Sequence, residues 1–215
     1  MPALNRPGTL ASAGFGWRHA LLLCIVLGSL ALLLSMQPLA QDPAYHDFAD
    51  RRAFLGIPNF RDVMSSIPFL LVGIAGLRWC RGNRLVPVQP QWFAFFAGVA
   101  AVSAGSAWYH WNPGNGSLVW DRLPMTIGFM GLFAALLAEY VSKRLGGLLL
   151  LPALLAGLAS VMVWRWFDDL RFYVWIQLLP LLIIPVVMAL FRPRYSRQWL
   201  LLACYLLAKL SEFHD

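Results

Sequence analysis

The chain has 215 residues, 60% of them hydrophobic and only 13% charged, and its mean hydropathy is positive. That composition excludes a soluble globular enzyme and places the chain among integral membrane proteins. The net charge of +7 is no nucleic-acid signal, because the basic residues are spread over alternating loops and do not gather in one patch. A helix crossing a hydrocarbon core of ~30 Å needs roughly 20 apolar residues. Runs of that kind lie near 20–39, 62–79, 92–110, 122–141, 146–164, 172–190 and 198–214, which predicts an all-α, polytopic transmembrane helix bundle.

The first run, "ALLLCIVLGSLALLLSMQPLA", follows Arg6 and Arg18 and could be read as a signal peptide. It is long for a signal core, and Pro38 sits where a small residue should precede a cleavage site; a retained helix is favoured. Pro68, Pro180 and Pro185 fall inside the second and sixth runs, as membrane helices allow when neighbours re-satisfy the freed carbonyls. "NPGNG" at 112–116 is a turn by its Pro, Gly and Asn content, joining the third and fourth runs. The seventh carries Lys209, Glu212 and Asp215 at three-residue spacing, a polar face that belongs toward protein and not lipid. Cys24, Cys80 and Cys204 share no metal-type spacing and are expected as buried apolar residues.

Arg6 and Arg18, then Arg78, Arg81 and Arg84, then Lys143 and Arg144, then Arg192, Arg194 and Arg197 fall on one side if the helices alternate. The opposite loops hold Asp42, Asp47, Asp50, Asp62, Asp121, Asp168 and Asp169, with Glu139 as the main exception. By the positive-inside rule the N-terminus is cytoplasmic, and the expected location is a bacterial inner membrane with the acidic end outward.

At that end "SAWYHWNPGNGSLVWDRLPM" interrupts the apolar pattern. Ser106 and His110 are four residues apart, one helical turn, and share a face; Asp121 begins the next run and can approach that face across the hairpin. An ionisable group at membrane depth costs roughly 3 kcal/mol on insertion scales, so such groups are usually paired and functional. A neutral imidazole that can bind zinc, a carboxylate that can move a proton and a hydroxyl that can donate to an oxyanion suit metal-assisted hydrolysis. A His–Asp hydrogen bond closing a helical hairpin accounts for the same spacing, and Trp108, Tyr109, Trp111 and Trp120 fit an interfacial aromatic belt. His19 and His46 read as ordinary interfacial residues.

The spacing Ser106, His110, Asp121 and then "RLPM" resembles the core motif of the alkaline ceramidase family, within the CREST superfamily of seven-helix membrane hydrolases. The stretch "NFRDVMSSIPFLLVGIAGL" is similar to that family's first core helix, with Asp62, Ser65 and Ser66 at the positions of an Asn-x-x-Ser-Asn pattern. The resemblance divides the chain into an N-terminal part with one extra helix, 1–41, and a ceramidase-like core, 42–215. It implies a zinc-dependent amidase that opens a ceramide-like membrane lipid to a sphingoid base and a fatty acid. By it, His110 is a zinc ligand, Asp121 the general acid/base and Ser106 the oxyanion donor. It also implies a calcium ion held by Asp47, Asp50 and Asn59, with the carbonyl of Phe48. Arg52 stands where that pattern has an asparagine ligand, and "DFADRR" also reads as a solvated loop.

The family's last helix carries two histidines four positions apart, which complete a three-histidine zinc site. This chain ends at "LAKLSEFHD" with His214 alone. Either it is a fragment lacking the final core helix or it is a shortened relative; the interrupted polar face favours a fragment. Two rivals to the amidase stay open. One is a non-catalytic lipid receptor or assembly factor that uses His110 and Asp121 structurally, the other a proton-coupled transporter using Asp121 with Lys209 and Glu212.

Overall fold

The structure, a computed structural model, describes residues 16–82 and 88–191 together with 203, 204 and 207. Helices α1 (Trp17–Ser35), α2 (Phe60–Ser65), α3 (Ile67–Gly82), α4 (Gln89–Trp111), α5 (Asn115–Leu136), α6 (Lys143–Phe167) and α7 (Arg171–Phe191) follow one another, and the described residues hold no β-strand beyond one isolated bridge in a loop. With α2 and α3 taken as one span, six segments are long and apolar enough to cross a membrane. The chain is therefore an all-α integral membrane bundle. Apart from 203, 204 and 207, the seventh expected run, 198–214, with Lys209, Glu212, His214 and Asp215, lies outside the described residues, as do Arg6, Arg84, Arg192, Arg194 and Arg197.

Most boundaries follow the hydropathy, and three details depart from it. Helix α5 starts at Asn115, so Asp121 lies well inside a helix instead of at its beginning. The charged pair Asp121 and Arg122 ends the apolar run, but nothing in their backbone chemistry stops a helix. Pro68 is the second residue of α3, not an interior one. Its missing N–H breaks the ladder after Ser66, and a first-turn proline is where a helix tolerates it. Cys80 is buried as expected, whereas Cys24 and Cys204 are exposed, because an apolar thiol needs no protein cover in lipid. Pro180 and Pro185 do lie within α7.

Helix α5 is the axis of the bundle: 67% of its most apolar stretch is buried, against 6% for α1. Its face of Met130 and Phe133, continued by Leu137 just beyond its end, packs with Ile176, Ile183 and Val187 of α7. Helix α1 belongs to the same body, since Leu22 joins that cluster and Trp175 Nε1 donates to Ser29 Oγ at 3.0 Å. At its start the Gly16 N–H donates to His19 Nδ1 at 3.2 Å. The last carbonyls of a helix need outside donors, and Arg171 Nη1 supplies them to Leu34 O at 2.7 Å and Met36 O at 2.5 Å.

The same end gathers the carboxylates. Segment 36–59 crosses it and is pinned to the α6–α7 junction, where Leu170 N donates to Leu39 O at 2.7 Å and Gln41 N to Asp168 Oδ1 at 3.1 Å. Asp169 closes the junction by pairing with Arg171 at 2.6 Å. That guanidinium, hydrogen-bonded to Asp169, holds its carboxyl down at about 2.

Candidate active site

The site begins with a close approach of two backbones. Pro124 lies inside α5 and has no N–H to offer the carbonyl of Trp120 one turn back. Gly105 of α4 sits against that carbonyl: a Cβ there would collide with the Trp120 oxygen and stand 3.0 Å from Asp121 Cα. Only glycine permits this, and Cα–H···O contacts recur where helices come so close. The residues next to the contact, Ser106 and Asp121, are thereby set on the wall of one space.

That space is a cavity of about 550 Å³. Ser106, His110 and Asp121 all line it, together with Asp62 and Ser65 of α2 and Gln177 of α7. The structure thus brings together the three residues singled out by spacing. Ser106 is buried, and Ser66 Oγ donates to Ser106 Oγ at 3.1 Å. With its acceptor side used by Ser66, the Ser106 hydroxyl keeps its own proton to donate. Ser65, the other serine of the pair, donates to the backbone at Asp62 O at 2.7 Å.

His110 is held from two sides. Asn59 Nδ2 donates to His110 O at 2.7 Å, and the Phe48 ring lies 4.7 Å from the imidazole between centroids. Asn59 takes a left-handed backbone at φ 45, which asparagine tolerates better than most residues. Over the cavity lies a short turn, Pro43–His46, started by Asp42 Oδ1 accepting from Ala44 N at 2.9 Å. His46 ties that turn to the hairpin: Nδ1 lies 2.9 Å from Tyr109 Oη and Nε2 2.9 Å from Asn115 Oδ1. Tyr109 Oη in turn donates to Tyr45 O at 3.2 Å. His46 is therefore more than an interfacial residue, being the clasp of the cavity roof.

Arg122 was not singled out by spacing, although a charge inside an apolar run was signal enough. It is only 5% exposed and lines the cavity. Its guanidinium lies 4.1 Å from the Trp164 ring centroid, 4.7 Å from Tyr173 and 5.7 Å from Tyr45. Arg122 Nη2 donates to Gln41 Oε1 at 2.6 Å.

The donor sets were tested against the two metals the family resemblance implies. Zinc wants three or four ligands from His nitrogen, Cys sulfur or carboxylate oxygen, in a tetrahedron. Among the described residues His110 is the one histidine on the cavity wall, and no three His, Cys, Asp or Glu side chains gather closely enough to hold an ion. The described residues alone do not fit zinc. The loop does not fit calcium either, which needs six to eight oxygens. Asp47 is paired with Arg51, Asp50 with Arg52 at 3.5 Å, and Asp50 Oδ2 accepts from Arg61 N at 2.9 Å. Comparison with family models, characterised proteins and solved structures finds no match to the chain.

Proposed function

We propose that this cavity is the active site of an intramembrane amidase acting on ceramide or a ceramide-like lipid, releasing a sphingoid base and a fatty acid. The observation that carries the reading is the convergence of Ser106, His110 and Asp121, from two helices, on one cavity at the acidic end of the bundle. The amide carbonyl oxygen gains negative charge as a tetrahedral intermediate forms, and the Ser106 hydroxyl, oriented by Ser66, donates to it. Asp121 takes a proton from the attacking water and returns one to the leaving nitrogen. His110 is the residue the reading assigns to zinc. We further assign the cavity to the outer side of a bacterial inner membrane, because the basic loops lie at the opposite end.

A specific observation favours a second reading. Asn59 and Phe48 hold His110 as they would hold a structural residue, so the bundle could be a lipid receptor or assembly factor with no chemistry. The deciding experiment purifies the full-length protein in detergent and measures bound metal and release of fatty acid from ceramide in mixed micelles. The amidase reading expects stoichiometric zinc that His110→Ala loses. It also expects rates lower by about 10²-fold or more in Ser106→Ala and Asp121→Asn. No zinc and no turnover in the wild type would sink it in favour of the receptor.

A further inference from the structure

We infer that Arg122 is the anion-recognition group of this cavity, so that the lipid bound there presents a carboxylate or phosphate to it. The guanidinium is a permanent charge carried at membrane depth, where ionisable residues usually pair with an opposite charge. None of the ion pairs among the described residues includes Arg122. Its neighbours are three aromatic rings and the neutral amide of Gln41. Arg122 Nη1 is buried and has no hydrogen-bond partner, on a residue that lines the cavity. A fold that merely needed a cation to stack on Trp164 would gain by giving it a carboxylate. This one stabilises the charge with ring faces and leaves a donor over.

The carboxylates of the cavity lie elsewhere on its wall. Asp62 comes from α2, Asp47 comes from the loop before it and pairs with Arg51, and Asp121, although adjacent in sequence, leaves α5 about 100° around the helix from Arg122. The two signs of charge therefore orient a ligand, its anionic group toward Arg122 and away from the carboxylates. A bidentate guanidinium suits either anion. The group is the carboxylate of a fatty acid or the phosphate of a charged lipid amide. The inference rests on the lipid-site reading of this cavity and not on its hydrolytic part.

The test measures binding of oleate, a phosphorylated ceramide and neutral ceramide to full-length protein in detergent, with Arg122→Gln and Gln41→Glu beside the wild type. Gln41→Glu leaves the arginine in place and supplies a counter-charge where Gln41 Oε1 accepts at 2.6 Å, so folding is kept. Both variants should weaken the anionic ligand by about ten- to a hundredfold, the range of a charge-assisted hydrogen bond, and leave neutral ceramide unchanged. Loss confined to oleate identifies the carboxylate, and loss confined to the phosphorylated ceramide the phosphate. Equal loss for neutral ceramide, no change in either variant, or no binding of either anion to wild type overturns the inference. Charge-dependent binding without any amide hydrolysis would remove the amidase and leave Arg122 in this role.

Discussion

Gly105→Ala is the sharpest perturbation of the site that leaves its chemistry untouched. The new methyl meets the carbonyl oxygen of Trp120 and approaches Asp121 Cα at 3.0 Å. Both are backbone, so no side chain can rotate away, and α4 and α5 must part by roughly 1 Å to restore van der Waals distance. Overpacking of this kind costs about 1–3 kcal/mol. For a chain of this length that is a fall in apparent Tm of roughly 2–10 °C. Gly116→Ala is the control in the same hairpin. A Cβ at Gly116 meets nothing within 4 Å, and in a helix alanine should be neutral or stabilise by up to ~1 kcal/mol. Thermal unfolding of both variants in one detergent reads the difference. If Gly105→Ala unfolds at the wild-type temperature, the two backbones are not in contact there, and the explanation of how Ser106 and Asp121 are set side by side fails.

The Asp169 carboxyl, held at about 2 in the fold against ~3.9 in an unfolded chain, stabilises above the unfolded value, and that contribution is lost as pH falls toward the folded one. Asp169→Asn should remove about 1–2 kcal/mol at neutral pH, with the difference from wild type shrinking between roughly pH 4 and pH 2; a difference constant across that window would contradict the pairing with Arg171. Asn59→Ala loses both the bond to His110 O and a residue tolerant of φ 45 and should cost about 2 kcal/mol, whereas Asn59→Gly keeps the backbone at ease and should cost about 1. Equal losses would show that the left-handed turn carries no strain. In a background without other cysteines, Pro113→Cys in the α4–α5 turn should react with an impermeant maleimide on intact cells and Arg144→Cys should not. The opposite pattern would invert the proposed orientation.

How much of this was legible in the sequence depends on the range over which each feature is encoded. Spans of apolar residues are local, and all six that the structure describes were in the hydropathy; the turn read from Pro, Gly and Asn at 112–116 is shorter, 112–114, because α5 begins at Asn115. The start of α5 was misplaced because hydropathy treats Asp121 and Arg122 as an end, whereas a helix at a membrane surface continues through charges. The pairing of Ser106 with His110 was legible because four residues make one turn. Its approach to Asp121 followed from a short hairpin, although the means, a glycine against a carbonyl freed by Pro124, is a match between two helices that neither sequence segment announces alone.

The features that escaped are those assembled from distant parts of the chain. Tyr45, Trp164 and Tyr173 come from the roof segment, α6 and α7, and nothing in the spacing of any one of them points to Arg122; only the fold stacks them on it. Asp47 and Asp50 are a local case: their oxygen chemistry suits a cation, and the neighbouring Arg51 and Arg52 of the same "DFADRR" loop pair with them. In the loop, arginines pair with the carboxylates that the resemblance assigns to calcium, and in the cavity Arg122 pairs with no carboxylate among the described residues. A bundle that needed only to close a hairpin would have had Asp121 beside an apolar residue. The cost of burying Arg122 next to it makes sense when something anionic arrives to use the charge.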